Sequence, residues 1–297
     1  MEIGMKKIGH IGLGLLLVLG AMLLREVVAG LELVGIAAYK VMSGQITKDD
    51  ISFYIQSFAG NQEGILLVSA VATLVWIIVF GLIYYNHQKQ KETRVFRQKM
   101  PSARLLLLAM MGFGLQFLIN SILGSILKIA PDLLSGYQKV IETLGMGSSP
   151  LSLLYIVLIA PIGEELVFRG IVLDYLKKNT SFLAANVFQA LFFGLYHMNV
   201  VQGIYAFILG MMLGYVANKY GSIRESILLH MAVNLSGCLV GFILPEALFD
   251  VWWGLLLLFL VSLGLIVYSI KNVTMETIAI KELKMRMVEK YVSTPSS

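Results

Sequence analysis

Residues 151–176 read LSLLYIVLIAPIGEELVFRGIVLDYL, an apolar run with a cluster of charges near its centre. A helix needs about 20 predominantly apolar residues to cross a bilayer, so this run predicts a membrane-spanning helix. A charge at the bilayer centre costs about 2.5–3.5 kcal/mol on insertion scales. Glu164, Glu165 and Arg169 are therefore expected to be paired, hydrated or functional, and the stretch predicts a membrane protein with a polar interior.

The composition of the whole chain agrees with a membrane protein. Hydrophobic residues make up 58% of the 297 residues and charged residues only 14%, whereas soluble domains carry about a quarter charged residues. Eight spanning segments are predicted, near residues 8–24, 64–85, 105–127, 151–176, 182–199, 201–218, 226–243 and 251–270. The predicted fold class is all-α, a polytopic membrane protein with about eight transmembrane helices around an intramembrane polar cavity.

The basic residues predict the orientation of these helices. Most of the 23 lysines and arginines fall at the N-terminus, in residues 86–104, after 176, between 219 and 224, and in the tail. Positive charge collects on the cytoplasmic side, so both termini are expected to be cytoplasmic. The same placement explains the net charge of +5 without a nucleic-acid partner.

The N-terminal segment predicts a retained helix. Its apolar run from Ile8 to Leu24 resembles a signal peptide but is longer than a usual signal core, and residues 27–39 either extend this helix or lie along the interface. The chain has a single cysteine, Cys238, which excludes an intramolecular disulfide.

Spacing separates the two glutamates at 164 and 165. Glu165 and Arg169 are four residues apart and share a helix face, which predicts an ion pair. Glu164 points about 100° away from that face and has no such partner. A desolvated carboxylate of this kind suits a general acid or base. The alternative is a buried Glu–Arg pair that only locks two helices together.

Two of the four histidines lie in the same third of the chain as the glutamate pair. His197 ends the sequence FGLYH, and His230 begins HMAVN, in which Asn234 faces the same way. Each alone is typical of an interfacial histidine or a helix–helix hydrogen bond. Two carboxylates, two imidazoles and an amide on three helices instead favour an assembled site.

A simple depth estimate conflicts with that assembly. If the lysines after 176 and Arg224 mark one membrane boundary, Glu164 lies about 20 Å from it, at 1.5 Å per residue. On the same scale His230 lies about 9 Å and His197 about 28 Å from the boundary. Straight helices would not bring these side chains together. Strong tilt is therefore expected, or residues 171–181 lie along the interface.

The motifs EELVFR at 164–169, FGLYH at 193–197 and HMAVN at 230–234 resemble EExxxR, FxxxH and HxxxN of the CAAX protease and bacteriocin-processing (CPBP, or Abi) family of intramembrane endopeptidases. The resemblance covers about residues 150–240. It divides the chain into N-terminal helices and loops (1–149), a CPBP-type catalytic core (150–243), and a last helix with a cytoplasmic tail (244–297).

The resemblance implies hydrolysis of a peptide bond in a membrane-associated peptide or lipidated protein. Glu164 would activate water with help from His197, His230 and Asn234 would stabilise the oxyanion, and Glu165 and Arg169 would be structural support. Glu164, His197 and His230 could also hold zinc. No HExxH is present, and a mechanism without a cofactor is favoured over a metalloprotease.

Two other functions stay open at this point. A non-enzymatic immunity or scaffold protein could use the same fold to bind a partner. A transporter could use intramembrane carboxylates as a proton relay, although no paired, Gly/Pro-broken segments suggest inverted repeats.

Overall fold

The computed structural model describes residues 2–58, 60–90, 100–144 and 149–293, and within these residues the chain is helical with no strand. The helices are α1 (Glu2–Met42), α2 (Ile51–Phe58), α3 (Gln62–Gln90), α4 (Ser102–Ile129), α5 (Leu134–Leu144), α6 (Pro150–Asn179), α7 (Phe182–Tyr196), α8 (Val200–Tyr220), α9 (Ile223–Ile243) and α10 (Trp252–Ser293). Single 3₁₀ turns lie at Pro131–Leu133 and Glu246–Leu248.

Seven of these helices are long and apolar enough to span a membrane, namely α1, α3, α4, α6, α8, α9 and α10. The protein is a multi-pass integral membrane protein with an all-α fold, as predicted. About eight crossings were expected, and the segment predicted near 182–199 forms the shorter apolar helix α7. Helix α7 has 15 residues and is about 22 Å long, shorter than the roughly 30 Å hydrocarbon core.

Helix α7 ends at Tyr196, three residues before the predicted end near residue 199, and the chain reverses direction there. His197 takes the C-cap position of α7, and Met198 follows with φ at 53°. The Asn199 side chain then accepts a hydrogen bond from the backbone N–H of Gln202 and caps α8. This tight turn places His197 at the end of a helix.

Two alternatives for the ends of the long helices are decided by the structure. Residues 27–39 extend the first helix, since α1 runs without a break from Glu2 to Met42. Residues 171–179 continue α6, with Thr180 as its C-cap, and therefore do not form a separate interfacial segment. The site is instead assembled by the stagger of the helices against one another.

Helix α6 departs from regular α geometry on both sides of the glutamate pair. Its π-helical segments, Tyr155–Ile159 and Leu166–Leu173, flank the α-helical turn Ala160–Glu165. Pro161 lies in that turn and has no backbone N–H to continue the ladder. Segments of π-helix often occur at functional sites because they redirect side chains and free backbone carbonyls.

The helices of the core approach closely through small residues. A Cβ added at Gly194 of α7 would lie 2.7 Å from the carbonyl oxygen of Gly203 on α8. A Cβ added at Gly112 of α4 would lie 2.7 Å from Cβ of Ala232 on α9. Small residues at such contacts let backbones pack tightly in membrane bundles, and here they bring α7 against α8 and α4 against α9.

Candidate active site

Glu165 lies at the centre of the polar core and contacts three side chains. Its Oε1 accepts a hydrogen bond from Arg169 Nη1 at 2.7 Å, and neither side chain is exposed. The Ser226 hydroxyl donates to the other carboxylate oxygen. His230 Nδ1 donates to Oε1 at 3.0 Å. The ion pair expected from the spacing is present, and the same carboxylate also ties α6 to α9.

Arg169 is held by more than its carboxylate. Its Nη2 donates to the carbonyl oxygen of Gly210 on α8 at 3.3 Å, and its guanidinium lies 4.5 Å from the centre of the Phe193 ring. A Cβ added at Gly210 would lie 3.0 Å from Cα of Ala190 and 3.3 Å from Arg169 Nη2. This arginine therefore joins α6, α7 and α8 at one point.

His230 lies between the two neighbouring glutamates. Its Nδ1 faces Glu165, while its Nε2 lies 3.7 Å from Glu164 Oε2. The Glu164 side chain keeps 12% of its surface exposed, whereas Glu165 has none. The two carboxylates thus have different surroundings, as their helical spacing predicted. Glu165 is enclosed by protein, whereas Glu164 can still be reached from outside.

His197 is placed level with Glu164 by the antiparallel hairpin of α6 and α7. Phe168 and Phe193 meet across this hairpin with ring centres 4.9 Å apart. Glu164 is four residues before Phe168, and His197 is four residues after Phe193. Glu164 and His197 therefore both lie about one helical turn beyond the Phe168–Phe193 contact, on the side away from the α6–α7 connection, and at a similar height along the two helices. The charge of Glu164 is close enough to act on the His197 imidazole.

One ring nitrogen of His197 is engaged by the backbone of its own helix. Nδ1 donates to the Phe193 carbonyl oxygen at 2.8 Å, so Nε2 is the nitrogen that can face a substrate or water. The Phe193 ring packs edge-on against both imidazoles, with centre separations of 4.8 Å to His197 and 5.8 Å to His230. Phe193 therefore separates the two histidines and fixes their orientation.

Asn234 is turned toward the backbone of α6. Its Nδ2 donates to the carbonyl oxygen of Ile156 at 2.8 Å, and Ile156 lies in the first π-helical segment. Asn234 was expected to stabilise the oxyanion, and one N–H of its amide instead links α9 to α6. The second N–H does not take part in this hydrogen bond.

Some polar residues of this core were not predicted from the sequence. Gln189 is fully buried and donates to Asn186 Oδ1 and to the Gly210 carbonyl oxygen. Ser226, which donates to Glu165, is also fully buried. Their spacing was an available signal, because Gln189 is four residues before Phe193 and Ser226 is four before His230, so each shares a face with its motif.

Residues 146–236 match the family model described as type II CAAX prenyl endopeptidase Rce1-like. This core is similar to that family. The match confirms the resemblance to the CAAX protease family over about a third of the chain, and it includes all three motifs. The matched family is described as one of prenyl endopeptidases, which supports an endopeptidase function in general. Comparisons with curated proteins and with solved structures give no match.

The donor set of this core does not fit a metal centre. Among the residues that the structure describes, no three His, Cys, Asp or Glu side chains are grouped to hold an ion. Glu164 and His230 face each other at 3.7 Å, but His197 does not complete a ligand set with them. Two facing side chains are fewer than the three protein ligands that a catalytic zinc takes.

Proposed function

We propose that this protein hydrolyses a peptide bond in a membrane-associated peptide or lipidated protein, with a glutamate-activated water. The observation that carries the proposal is the pairing of Glu164 Oε2 with His230 Nε2 at 3.7 Å, beside a second glutamate that is fully buried. The distance between these atoms is longer than a direct hydrogen bond, so a water molecule lying beside the pair can hydrogen-bond to both.

Glu164 is the general base in this proposal. Its carboxylate takes a proton from water as the water oxygen bonds to the carbonyl carbon of the substrate. The same proton then goes to the departing amine nitrogen, and the carbon–nitrogen bond breaks. A positioned carboxylate of this kind contributes about 10²–10⁴-fold to a rate. His197, at the end of α7, lies at a similar height to Glu164 and would hold the water through Nε2.

His230 would stabilise the oxyanion. In its doubly protonated form, Nδ1–H donates to Glu165 and Nε2–H is available to the negative oxygen of the tetrahedral intermediate. Loss of one such donor costs about 10²–10³-fold in rate. Glu165 supports this role because its carboxylate fixes the ring and balances its charge, while Arg169 and Ser226 fix Glu165. Asn234 would offer its second N–H to the same oxygen.

The experiment is a cleavage assay with purified protein in lipid nanodiscs and membrane-anchored peptides. Glu164→Gln keeps the shape of the side chain, and we expect it to lower the rate by at least about 100-fold. Glu246→Gln, at an exposed position of the 3₁₀ turn before α10, is the matched control and should cleave at the wild-type rate.

The competing function is that of a non-enzymatic scaffold. It is favoured if Glu164→Gln and His230→Ala proteins keep full biological activity in cells. Equal cleavage by the wild-type and Glu164→Gln proteins would refute the mechanism but leave the endopeptidase class in place.

A further inference from the structure

Arg104 lies at the centre of a charged cluster that the proposed chemistry does not use. It is in the first turn of α4, only 11% of its side chain is exposed, and its Nη1 donates to Glu225 Oε1 at 2.8 Å. Its Nη2 lies 2.7 Å from Oε1 of Glu276 on α10. Glu225 is the third residue of α9. One guanidinium therefore joins the first turns of α4 and α9 to the side of α10.

Tyr220 adds α8 to the same cluster. It is the last residue of α8, and its hydroxyl donates to Glu276 Oε2 at 2.6 Å. The centre of its ring lies 4.5 Å from Cζ of Arg104. Two residues separate Tyr220 from the start of α9, and one of them, Gly221, turns the chain with φ at 66°. Arg104 therefore contacts both sides of this turn, through Tyr220 before it and Glu225 after it.

This cluster is one residue away from a contact of the candidate active site. Ser226 follows Glu225 and donates to Glu165. Neighbouring side chains of a helix point about 100° apart, so Glu225 reaches α4 while Ser226 reaches α6. Both side chains are buried. The first turn of α9 is therefore held from two directions.

The first turn of α9 needs such support because a helix holds its own ends weakly. The first four N–H groups of a helix have no partner within it, and helix ends fray. Movement of this turn would take the Ser226 hydroxyl away from Glu165, the carboxylate that His230 faces. A displacement of about 1 Å that begins far from the chemistry can cost about 100-fold in rate.

We infer that Arg104 is a positioning residue, which fixes the first turn of α9 and so keeps the Ser226 hydroxyl on Glu165. The inference rests on the proposed endopeptidase function and deepens it. Arg104 does not touch the reacting atoms and acts on them through Ser226. Arginine suits this place because its planar fork can hold two carboxylates at once, whereas lysine offers a single ammonium.

The first test is kinetic and uses the full-length protein in nanodiscs. In Arg104→Gln we expect kcat to fall by about 10–100-fold with KM within about twofold, because groups that act in the transition state are misplaced while substrate contacts remain. Arg224→Gln is the matched control. Arg224 also contacts Glu225 Oε1, at 3.0 Å, but it lies on the same helix and is 46% exposed. Its loss should leave kcat within about twofold of wild type.

A double-mutant cycle separates positioning from a general loss of stability. In a Ser226→Ala background, Arg104→Gln should lower kcat by less than about threefold more, because the residue through which it acts is already gone. Arg104→Lys keeps the charge without the fork, so it decides the matter if Arg104→Gln does not fold. It should lower kcat by at least about threefold, and only while Ser226 is present.

The second measurement needs no cleavage. His230 Nδ1 donates to Glu165 at 3.0 Å, and a proton in a hydrogen bond to a carboxylate gives a downfield NMR signal. In protein with ¹⁵N-labelled histidine, the signal that disappears in His230→Ala is assigned to this ring. We expect it to shift in Arg104→Gln and Arg104→Lys, and to stay in place in Arg224→Gln.

The outcomes separate this inference from the proposed function. An unchanged His230 signal in the Arg104 variants, or rate losses that multiply fully in the double variants, would overturn the role of Arg104. A raised KM with unchanged kcat would also overturn it, because Arg104 would then belong to substrate binding. Cleavage with an unchanged signal leaves the endopeptidase standing, whereas a shifted signal in a protein whose wild type does not cleave refutes the endopeptidase alone.

Discussion

Replacing Glu165 by glutamine is expected to weaken both the stability and the chemistry of the core. The substitution keeps the shape of the side chain but removes the counterion of Arg169, whose side chain is fully buried. The guanidinium then keeps only the Gly210 carbonyl at 3.3 Å and the Phe193 ring at 4.5 Å. Removing one partner of a buried pair costs about 3–5 kcal/mol, and we expect a loss of that size in the free energy of unfolding.

A second substitution separates the two effects. In Glu165→Gln/Arg169→Met the uncompensated charge is gone, and replacement of a buried pair by neutral groups of similar volume is often close to neutral. Much of the lost stability should therefore return. Activity should not return, because His230 Nδ1 no longer faces a carboxylate. We expect a rate about 10²–10³-fold below wild type, the cost of losing one oxyanion donor.

The assay pairs reversible unfolding in mixed micelles with peptide cleavage in nanodiscs. Glu26→Gln is the matched control, since Glu26 also pairs with an arginine, at 3.4 Å from Arg25, but is 69% exposed. Its loss should cost less than about 1 kcal/mol. Equal stability of Glu165→Gln and Glu26→Gln, or recovery of full activity together with stability in the double variant, would refute this prediction.

Gly210→Ala should lower the free energy of unfolding by about 1–3 kcal/mol because its Cβ would press on Ala190 and Arg169. Gly20→Ala, which meets nothing within 4 Å, should be neutral or stabilising by up to about 1 kcal/mol, and equal losses in the two unfolding curves would contradict the close packing. Asn234→Leu should lower the cleavage rate while leaving peptide affinity within about twofold, and a pure loss of affinity would instead assign Asn234 to binding. Incubation with a zinc chelator should leave cleavage unchanged, and a loss that added zinc reverses would favour a metalloprotease. In a Cys238→Ser background, a cysteine introduced at either terminus should react with an impermeant thiol reagent only from the cytoplasmic side, and labelling from the other side would reverse the predicted orientation.

Local spacing predicted the parts of the site that one helix determines. Four residues between Glu165 and Arg169 were enough to predict their ion pair, because the helix itself brings i and i+4 together. The same rule separated Glu164 from that pair. The many buried contacts of Glu165 could not be predicted in this way, because Ser226 and His230 reach it from another helix.

The depth estimate was wrong because it placed two helix ends at one level. The contact of Glu164 with His230 requires α6 to extend about 11 Å further than α9 on the side of Arg224, at 1.5 Å per residue. Counting outward from the α6–α7 connection would have placed Glu164 level with His197. The length of α7 was missed because the apolar run continues past Tyr196, and only the turn at His197–Asn199 ends the helix.

The central claim is that Glu164 activates the water that cleaves the substrate. It is tested most directly by single-turnover cleavage of a membrane-anchored peptide in ¹⁸O-labelled water, with the products analysed by mass spectrometry. The account predicts one ¹⁸O atom in the new carboxyl group of the wild-type product, and a rate at least about 100-fold lower for Glu164→Gln. An unlabelled product, or labelled product formed at the same rate by Glu164→Gln, would contradict it.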